Sequence, residues 1–306
     1  MRAHRDEHRR SGHPSPVLLL LSPGQGSQSS GMLMPWLALP GAEERLARWS
    51  ELTGLDLRAL GTTASDDEVR PTEVAQPLLT AAALLSGRAV LAGRTPDVVC
   101  GHSIGELSAV ALAGVLTDDQ AVVLAAGRGR LMAEAAALRP TGMAALLGVG
   151  AQEQDWTAAG LELATVNVAG QVVLGGPVEA LDAWTPPKGV RVRRLDVAGA
   201  FHTSAMAPAA DGFAALVAAL DPRDADCDVI ANADGAVLRD GRELLDRLVG
   251  QLTRPVRFDL CLAAASSATE AVELAPGGVL KGLAKRALPE LPVRALRTPD
   301  DLLVSA

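Results

Sequence analysis

The chain has 306 residues, 48% of them apolar but only 2% aromatic, and contains no tyrosine. It is acidic, with 36 Asp and Glu against 28 Lys and Arg for a net charge of −8, which argues against broad nucleic-acid binding, since that needs many cationic phosphate contacts. Cys100, Cys227 and Cys261 are widely spaced and form no C-x-x-C pair. Neither a structural zinc nor a disulfide framework is therefore expected, and a reducing, cytoplasmic setting is.

Residues 1–15 are polar and are expected to form a disordered tail. Arg9 and Arg10 before "VLLLL" (17–21) imitate a secretory signal, but the apolar run is short and no small-residue cleavage site follows it. The run reads as a first buried strand, and "PGQGSQ" (23–28) as a glycine-rich turn leading to a helix. Residues 41–60 and 73–92 read as helices, 97–100 as a strand, and "IGELSAVALAGV" as a helix of small residues ending near Gly114. Helix resumes over 118–138. No segment reads as the roughly 20 apolar residues of a membrane span.

After Pro140 the texture becomes β-rich, with "GMAALLGV", "LATVNVAGQVVLGG" and "VRVRRLDV" separated by helical stretches at 151–160 and 177–184. Strand, helix, hairpin, helix, strand is a ferredoxin-like order. Alternation then resumes with a helix at 206–220 and strands at 227–232 and 271–276. With aromatics scarce, the core falls to Ala, Val and Leu, the stock of a parallel sheet covered by helices. The expected class is α/β: a large α/β-hydrolase-like domain with a parallel sheet (16–138 and 200–306), interrupted by a small ferredoxin-like α+β insert (139–199).

Gly101-His102-Ser103-Ile104-Gly105 fits G-x-S-x-G, a turn so tight that only glycine fits beside a serine whose hydroxyl stands above the sheet edge. Ser103 is then a nucleophile at a helix N-terminus, where free N–H groups favour developing negative charge. The alternative is an ordinary serine N-cap. The strand before it and the helix after it favour the nucleophile. A nucleophilic serine needs a base. His4, His8 and His13 lie in the tail, and His102 points away from its neighbour. His202 in "VAGAFHTSAM" remains, with a core histidine as the alternative. A third member is not evident: Asp196 is a candidate, and a backbone carbonyl would serve equally. "PGQGSQ" offers a backbone N–H to an oxyanion hole shared with Ile104, a phosphate cradle, or only a turn. Arg128 stands in the apolar stretch "VVLAAGRGRLM" and needs a carboxylate, from the protein or from a substrate.

"PGQGSQ", "TEVAQPLL", "GHSIGE", "GRGRLM", "GAFHTSAM", "QLTRPVRF" and "ELAPGGVLKGLAKR" occur in the order seen in the malonyl-CoA:acyl-carrier-protein transacylases, which the chain resembles over about residues 17 to 303. The resemblance implies an acyltransferase that moves malonyl from malonyl-CoA to the phosphopantetheine thiol of acyl carrier protein for fatty-acid synthesis. Ser103 matches the acylated serine, His202 its base, Gln25 and Ile104 the oxyanion donors, and Arg128 the arginine for the malonyl carboxylate. Gln76, His102, Phe201 and Asn167 match pocket residues, and Gln251 the residue whose carbonyl orients the histidine. Phe201 resembles the malonyl-selective pattern of polyketide acyltransferases. Thr165 departs from the family, which often has asparagine there. No metal or cofactor is implied; the partners are malonyl-CoA and acyl carrier protein, with no nucleic acid or membrane, and a monomer is expected. Lys281, Lys285 and Arg286 form a candidate docking patch for the carrier, with Arg191, Arg193 and Arg194 competing. A trans-acting polyketide acyltransferase, a catalytically silent docking subunit and an α/β serine hydrolase are the rivals. The hydrolase would carry a late histidine after its acid and an HG-type loop, neither of which is present.

Overall fold

The computed structural model describes residues 17–148, 150–151, 156–186 and 188–303; the expected tail and its three histidines lie outside them. In chain order, β1 (Leu18–Ser22) leads to α1 (Ala42–Thr53), α2 (Leu57–Thr62), α3 (Asp66–Val69) and α4 (Thr72–Leu91). Next come β2 (Val98–Gly101), α5 (Ile104–Leu112), α6 (Asp118–Ala137), β3 (Thr141–Leu147), β4 (Glu162–Val168), β5 (Gln171–Pro177), α7 (Val178–Ala183) and β6 (Arg191–Arg194). The chain continues through α8 (Ala207–Ala218), β7 (Asp228–Ile230), β8 (Val237–Leu238), α9 (Gly241–Gln251), β9 (Val256–Arg257) and α10 (Phe258–Ala264). It closes with β10 (Glu270–Glu273), α11 (Val279–Ala287) and β11 (Val293–Ala295).

These elements make a mixed α/β fold with two sheets. The larger has the order β11-β10-β1-β2-β7-β8, parallel throughout except for the β7–β8 pair. β1 is internal, and its leucines alternate between two cores: Leu20 faces one, Leu19 and Leu21 the other. All three are fully buried, each contributing about 1.5–3 kcal/mol. That two-sided burial explains an unbroken apolar run instead of an alternating one.

The smaller sheet has the order β6-β3-β5-β4-β9, antiparallel apart from the β4–β9 pair. Strand periodicity divides its side chains between two jobs. Ala144, Leu146, Val166, Val172 and Leu174 pack into a core of its own with Leu181 of α7. Their neighbours Met143, Ala145, Thr165, Asn167, Gln171 and Val173 face a cavity shared with the larger sheet.

Four expectations are corrected. Residues 41–60 are two helices, because Gly54 adopts a left-handed conformation and Asp56 caps a new start by accepting from the Ala59 N–H. The helix expected at 151–160 is only a 3-10 turn, Thr157–Ala159, among the described residues; 152–155 lie outside them. The small sheet is not confined to 139–199, since β9 joins it from residues 256–257. Finally, α4 is long and apolar enough to cross a membrane by length and composition alone, but 78% of its apolar window is buried inside the protein.

Candidate active site

Ser103 sits between β2 and α5 with φ 54° and ψ −115°, a conformation non-glycine residues rarely adopt. The flanking glycines make it reachable. A Cβ on Gly101 would lie 2.0 Å from the Gly105 carbonyl carbon, and one on Gly105 would lie 2.1 Å from the Ser22 oxygen. Asn232, fully buried at the end of β7, braces the turn: its Oδ1 accepts the Ser103 N–H at 2.8 Å and its Nδ2 donates to the Gly101 carbonyl at 2.6 Å. This is not a side-chain N-cap, for Ser103 Oγ makes no capping bond.

Instead, Ser103 Oγ lies 2.7 Å from His202 Nε2, and His202 Nδ1 lies 2.8 Å from the Gln251 carbonyl oxygen. A carbonyl only accepts, so Nδ1 carries the proton and Nε2 is the acceptor that faces the serine hydroxyl. Gln251 ends α9, where carbonyls lack intrahelical partners and the helix dipole is negative. Asp196 is not part of this arrangement: it is exposed and pairs with Arg70 at 3.1 Å. Burial, and then the nearby Arg128, push His202 down to about 3, so the resting imidazole is neutral.

Arg128, 1% exposed, enters the same site from α6. Nη1 donates to Gln76 Oε1 at 2.8 Å, Nη2 to Gln251 Oε1 at 2.7 Å, and Nη2 also approaches Ser103 Oγ at 3.5 Å. Its buried Nε has no hydrogen-bond partner. Among the described residues no carboxylate contacts it, so none of them supplies by direct contact the partner expected from the sequence. Burial lowers its pKa to about 10, with Glu106 opposing.

The backbone N–H groups of Gln25 and Ile104 donate to no protein acceptor among the described residues. His102 turns away from Ser103: its Nε2 is 2.9 Å from Asn167 Oδ1, and its ring meets Phe258 edge-on at 5.2 Å. A cavity of about 400 Å³ is lined by Gln25, Gln76, His102, Ser103, Thr165, Asn167, Arg193, Phe201 and His202, with Val279, Leu280 and Leu283 of α11. Thr165 is buried and its Oγ1 has no hydrogen-bond partner among the described residues. Lys281, Lys285 and Arg286 stay on the exposed side of α11. Arg286 is already engaged, donating to Gln171 Oε1 and the Ala169 carbonyl, and Arg194 pairs with Asp182.

Such a site can form and break an ester on Ser103 and offers a cation to a second, anionic group. The acyl transferase domain model matches residues 20–297. The chain belongs to the acyl transferase domain family. This acyltransferase is 49% identical over 296 residues to the malonyl CoA-acyl carrier protein transacylase of Mycobacterium tuberculosis, covering 94% of this chain and 98% of the relative. The crystal structure of MCAT from the same organism superposes with a TM-score of 0.90, at 49% identity and the same coverage of both chains. A malonyl-transacylase solved in complex with its type II PKS acyl-carrier protein matches with a TM-score of 0.85 and 31% identity, over 94% of this chain and 98% of that one.

Two residues of the acyltransferase site went unread in the sequence. Glu106 is an acid inside the apolar "IGELSAVAL", the same signal that marks Arg128. Asn232 follows a strand and carries no local signal.

Proposed function

We propose that this acyltransferase moves a malonyl group from malonyl-CoA to the phosphopantetheine thiol of an acyl carrier protein through a malonyl-Ser103 ester, in fatty-acid synthesis. The observation that carries the reading is Arg128, buried beside the Ser103–His202 pair with no carboxylate of the described residues in contact. A charged guanidinium is costly in such a place unless a carboxylate arrives to meet it, and malonyl brings one at the end opposite its thioester. Arg binds carboxylates through two parallel N–H bonds, a geometry Lys cannot reproduce.

In this mechanism His202 Nε2 takes the Ser103 proton as Oγ attacks the thioester carbonyl. The oxyanion is held by the N–H groups of Gln25 and Ile104. Collapse breaks the C–S bond, and His202 returns the proton to the departing coenzyme A sulfur. The carrier thiol then repeats the sequence in reverse, giving its proton to His202 and leaving with the malonyl group. The imidazolium formed in each step faces the Gln251 carbonyl. Protons and electrons balance without a metal or redox cofactor, and none is included.

The larger sheet, with its elbow after an internal parallel strand, is read as α/β-hydrolase-like. The smaller is read as ferredoxin-like, since its first four strands in chain order take the sheet order fourth, first, third, second. The domain limits of 16–138 with 200–306, and 139–199, follow that reading with β9 added to the small sheet. A cytoplasmic monomer is part of the same proposal. The test is intact-protein mass after mixing with malonyl-CoA. One malonyl increment is expected, discharged by a carrier protein carrying phosphopantetheine and absent in Ser103→Ala. An increment that survives Ser103→Ala overturns the assignment. Parallel assays with fatty-acid and polyketide carriers separate the two pathways, the second of which is favoured only by the carrier-bound relative.

A further inference from the structure

We propose that Glu106 is a positioning residue that serves as the internal counter-ion of Arg128, held one amide away from it by Gln251. The guanidinium is thereby charged and oriented before substrate arrives, while its contact edge stays open. This rests on the reading that Arg128 receives the acyl carboxylate.

Glu106 lies in the first turn of α5 and is 2% exposed. Its Oε1 accepts the Asn232 N–H at 2.8 Å, and its Oε2 accepts from Gln251 Nε2 at 2.5 Å. The same Gln251 side chain accepts from Arg128 Nη2 through Oε1. An ionised carboxylate can only accept, so Gln251 must turn its NH₂ to Glu106 and its oxygen to Arg128. Carboxylate, amide and guanidinium form one chain, and the amide orientation is dictated by the carboxylate. Gln251 also holds His202 by its main-chain carbonyl, so the chain reaches the base as well.

The spacing has a physical logic. A carboxylate in direct contact with Arg128 would occupy the edge that a substrate carboxylate needs. No counter-charge at all would leave a buried cation uncompensated. Burial moves the two groups toward each other, Glu106 up to about 7 and Arg128 down to about 10, and each opposes the other's shift. Arg247 of α9 also acts on Glu106, but it is paired with Asp234 and Glu243. The Cys261 thiol of α10 is pushed up by its hydrogen bond with Cys100, by burial and, to a lesser extent, by the charge of Glu106.

Glu106→Gln removes the charge at nearly constant shape; its single oxygen still accepts from Gln251 Nε2 and keeps that amide turned as it is, and the Asn232 N–H loses its acceptor. In a Ser103→Ala background, which prevents turnover, malonyl-CoA should bind on the order of tenfold tighter after Glu106→Gln. The free site then lacks its counter-charge and the substrate carboxylate provides it. Acetyl-CoA affinity should not change. Equal shifts for the two ligands, no shift, or a malonyl-specific weakening overturns the proposal. A second measurement needs no substitution at Glu106 and covers the case in which that variant fails to fold. Infrared difference spectra of ¹³C-glutamate-labelled protein near neutral pH should show one carboxyl taking up a proton when Ser103 is malonylated, and none when it is acetylated. The bound malonyl carboxylate competes for Arg128 and so raises the proton affinity of Glu106. The ester is read by mass on the same sample. A missing ester counts against the proposed reaction, and an ester without the carboxyl signal counts against Glu106.

Discussion

Arg128 is 1% exposed, its hydrogen bonds go to two amides and a hydroxyl, and on the proposed reading it meets the malonyl carboxylate. Arg128→Ala should therefore lower malonyl transfer by at least on the order of a hundredfold and raise the acetyl-to-malonyl ratio. Specificity constants for both thioesters check this, and an equal fall in the two would make Arg128 structural. His202 sets a pH dependence of stability. Its folded pKa lies below the unfolded value, so the unfolded chain binds the proton first as pH falls. Stability due to the neutral imidazole is full above about 6.5 and is lost below it at roughly 1.4 kcal/mol per pH unit. Urea unfolding from pH 7.5 to 5 should show His202→Asn gaining on the wild type by that slope; parallel curves would contradict it. Phe201, buried next to His202 in the cavity wall, is on the proposed reading the bulk that a methyl branch would meet. Phe201→Ala should relax discrimination against methylmalonyl-CoA by up to about 1–3 kcal/mol, read as a ratio of specificity constants. No change in that ratio removes Phe201 from selectivity. At this scale the motif residues were legible because each breaks a local rule: a serine between glycines, a charge in an apolar helix. Glu106 obeyed the same rule and was passed over, while Asn232 breaks none.

The β2–α5 elbow is the element on which the geometry hangs. Gly105→Ala would place a Cβ 2.1 Å from the Ser22 carbonyl oxygen and 2.7 Å from that of Pro23. Both are backbone, so β1 and its turn must move. A loss of roughly 1–3 kcal/mol or more is expected, together with lost acylation because the Gln25 N–H moves with that turn. Gly282→Ala is the control: it is on α11 with nothing within 4 Å of its Cβ, and should be neutral or stabilising by up to about 1 kcal/mol. Thermal unfolding of the two variants side by side makes the comparison, and a Gly105→Ala protein as stable and active as Gly282→Ala would refute the packing argument. Strands were legible here as apolar runs. The α9 helix was not read, although its C-terminus delivers the Gln251 carbonyl to His202.

Over the whole molecule, a net charge of −8 would repel a carrier that is itself acidic, and docking of such a partner would need a local basic patch. α11 is the candidate: Leu280 and Leu283 line the cavity, while Lys281 and Lys285 are exposed. Arg286 is a poor probe, because reversing its charge also cuts its bonds to the β4–β5 turn. Lys281→Glu with Lys285→Glu should slow transfer from malonyl-Ser103 to the carrier and flatten its salt dependence, leaving acylation by malonyl-CoA unchanged. If both half-reactions slow equally, or neither does, the carrier docks elsewhere, with exposed Arg191 and Arg193 the next candidates.

Two-sided burial of a parallel sheet writes itself into the chain as "VLLLL" and "DVVC", and a tight elbow as glycine on either side of Ser103. Those patterns are local, so the sequence by itself determined the alternation of strands and helices and singled out Ser103 and Arg128. Asp196 or a carbonyl behind His202, and a protein or a substrate carboxylate for Arg128, were left open. Each choice depends on groups far apart in the chain: Gln251 lies 49 residues from His202, 123 from Arg128 and 145 from Glu106. Only packing of α9 against the elbow brings them within hydrogen-bond reach. The tertiary structure therefore decided which group orients the His202 ring and that no carboxylate among the described residues contacts Arg128, because burial and distance are properties of the folded chain.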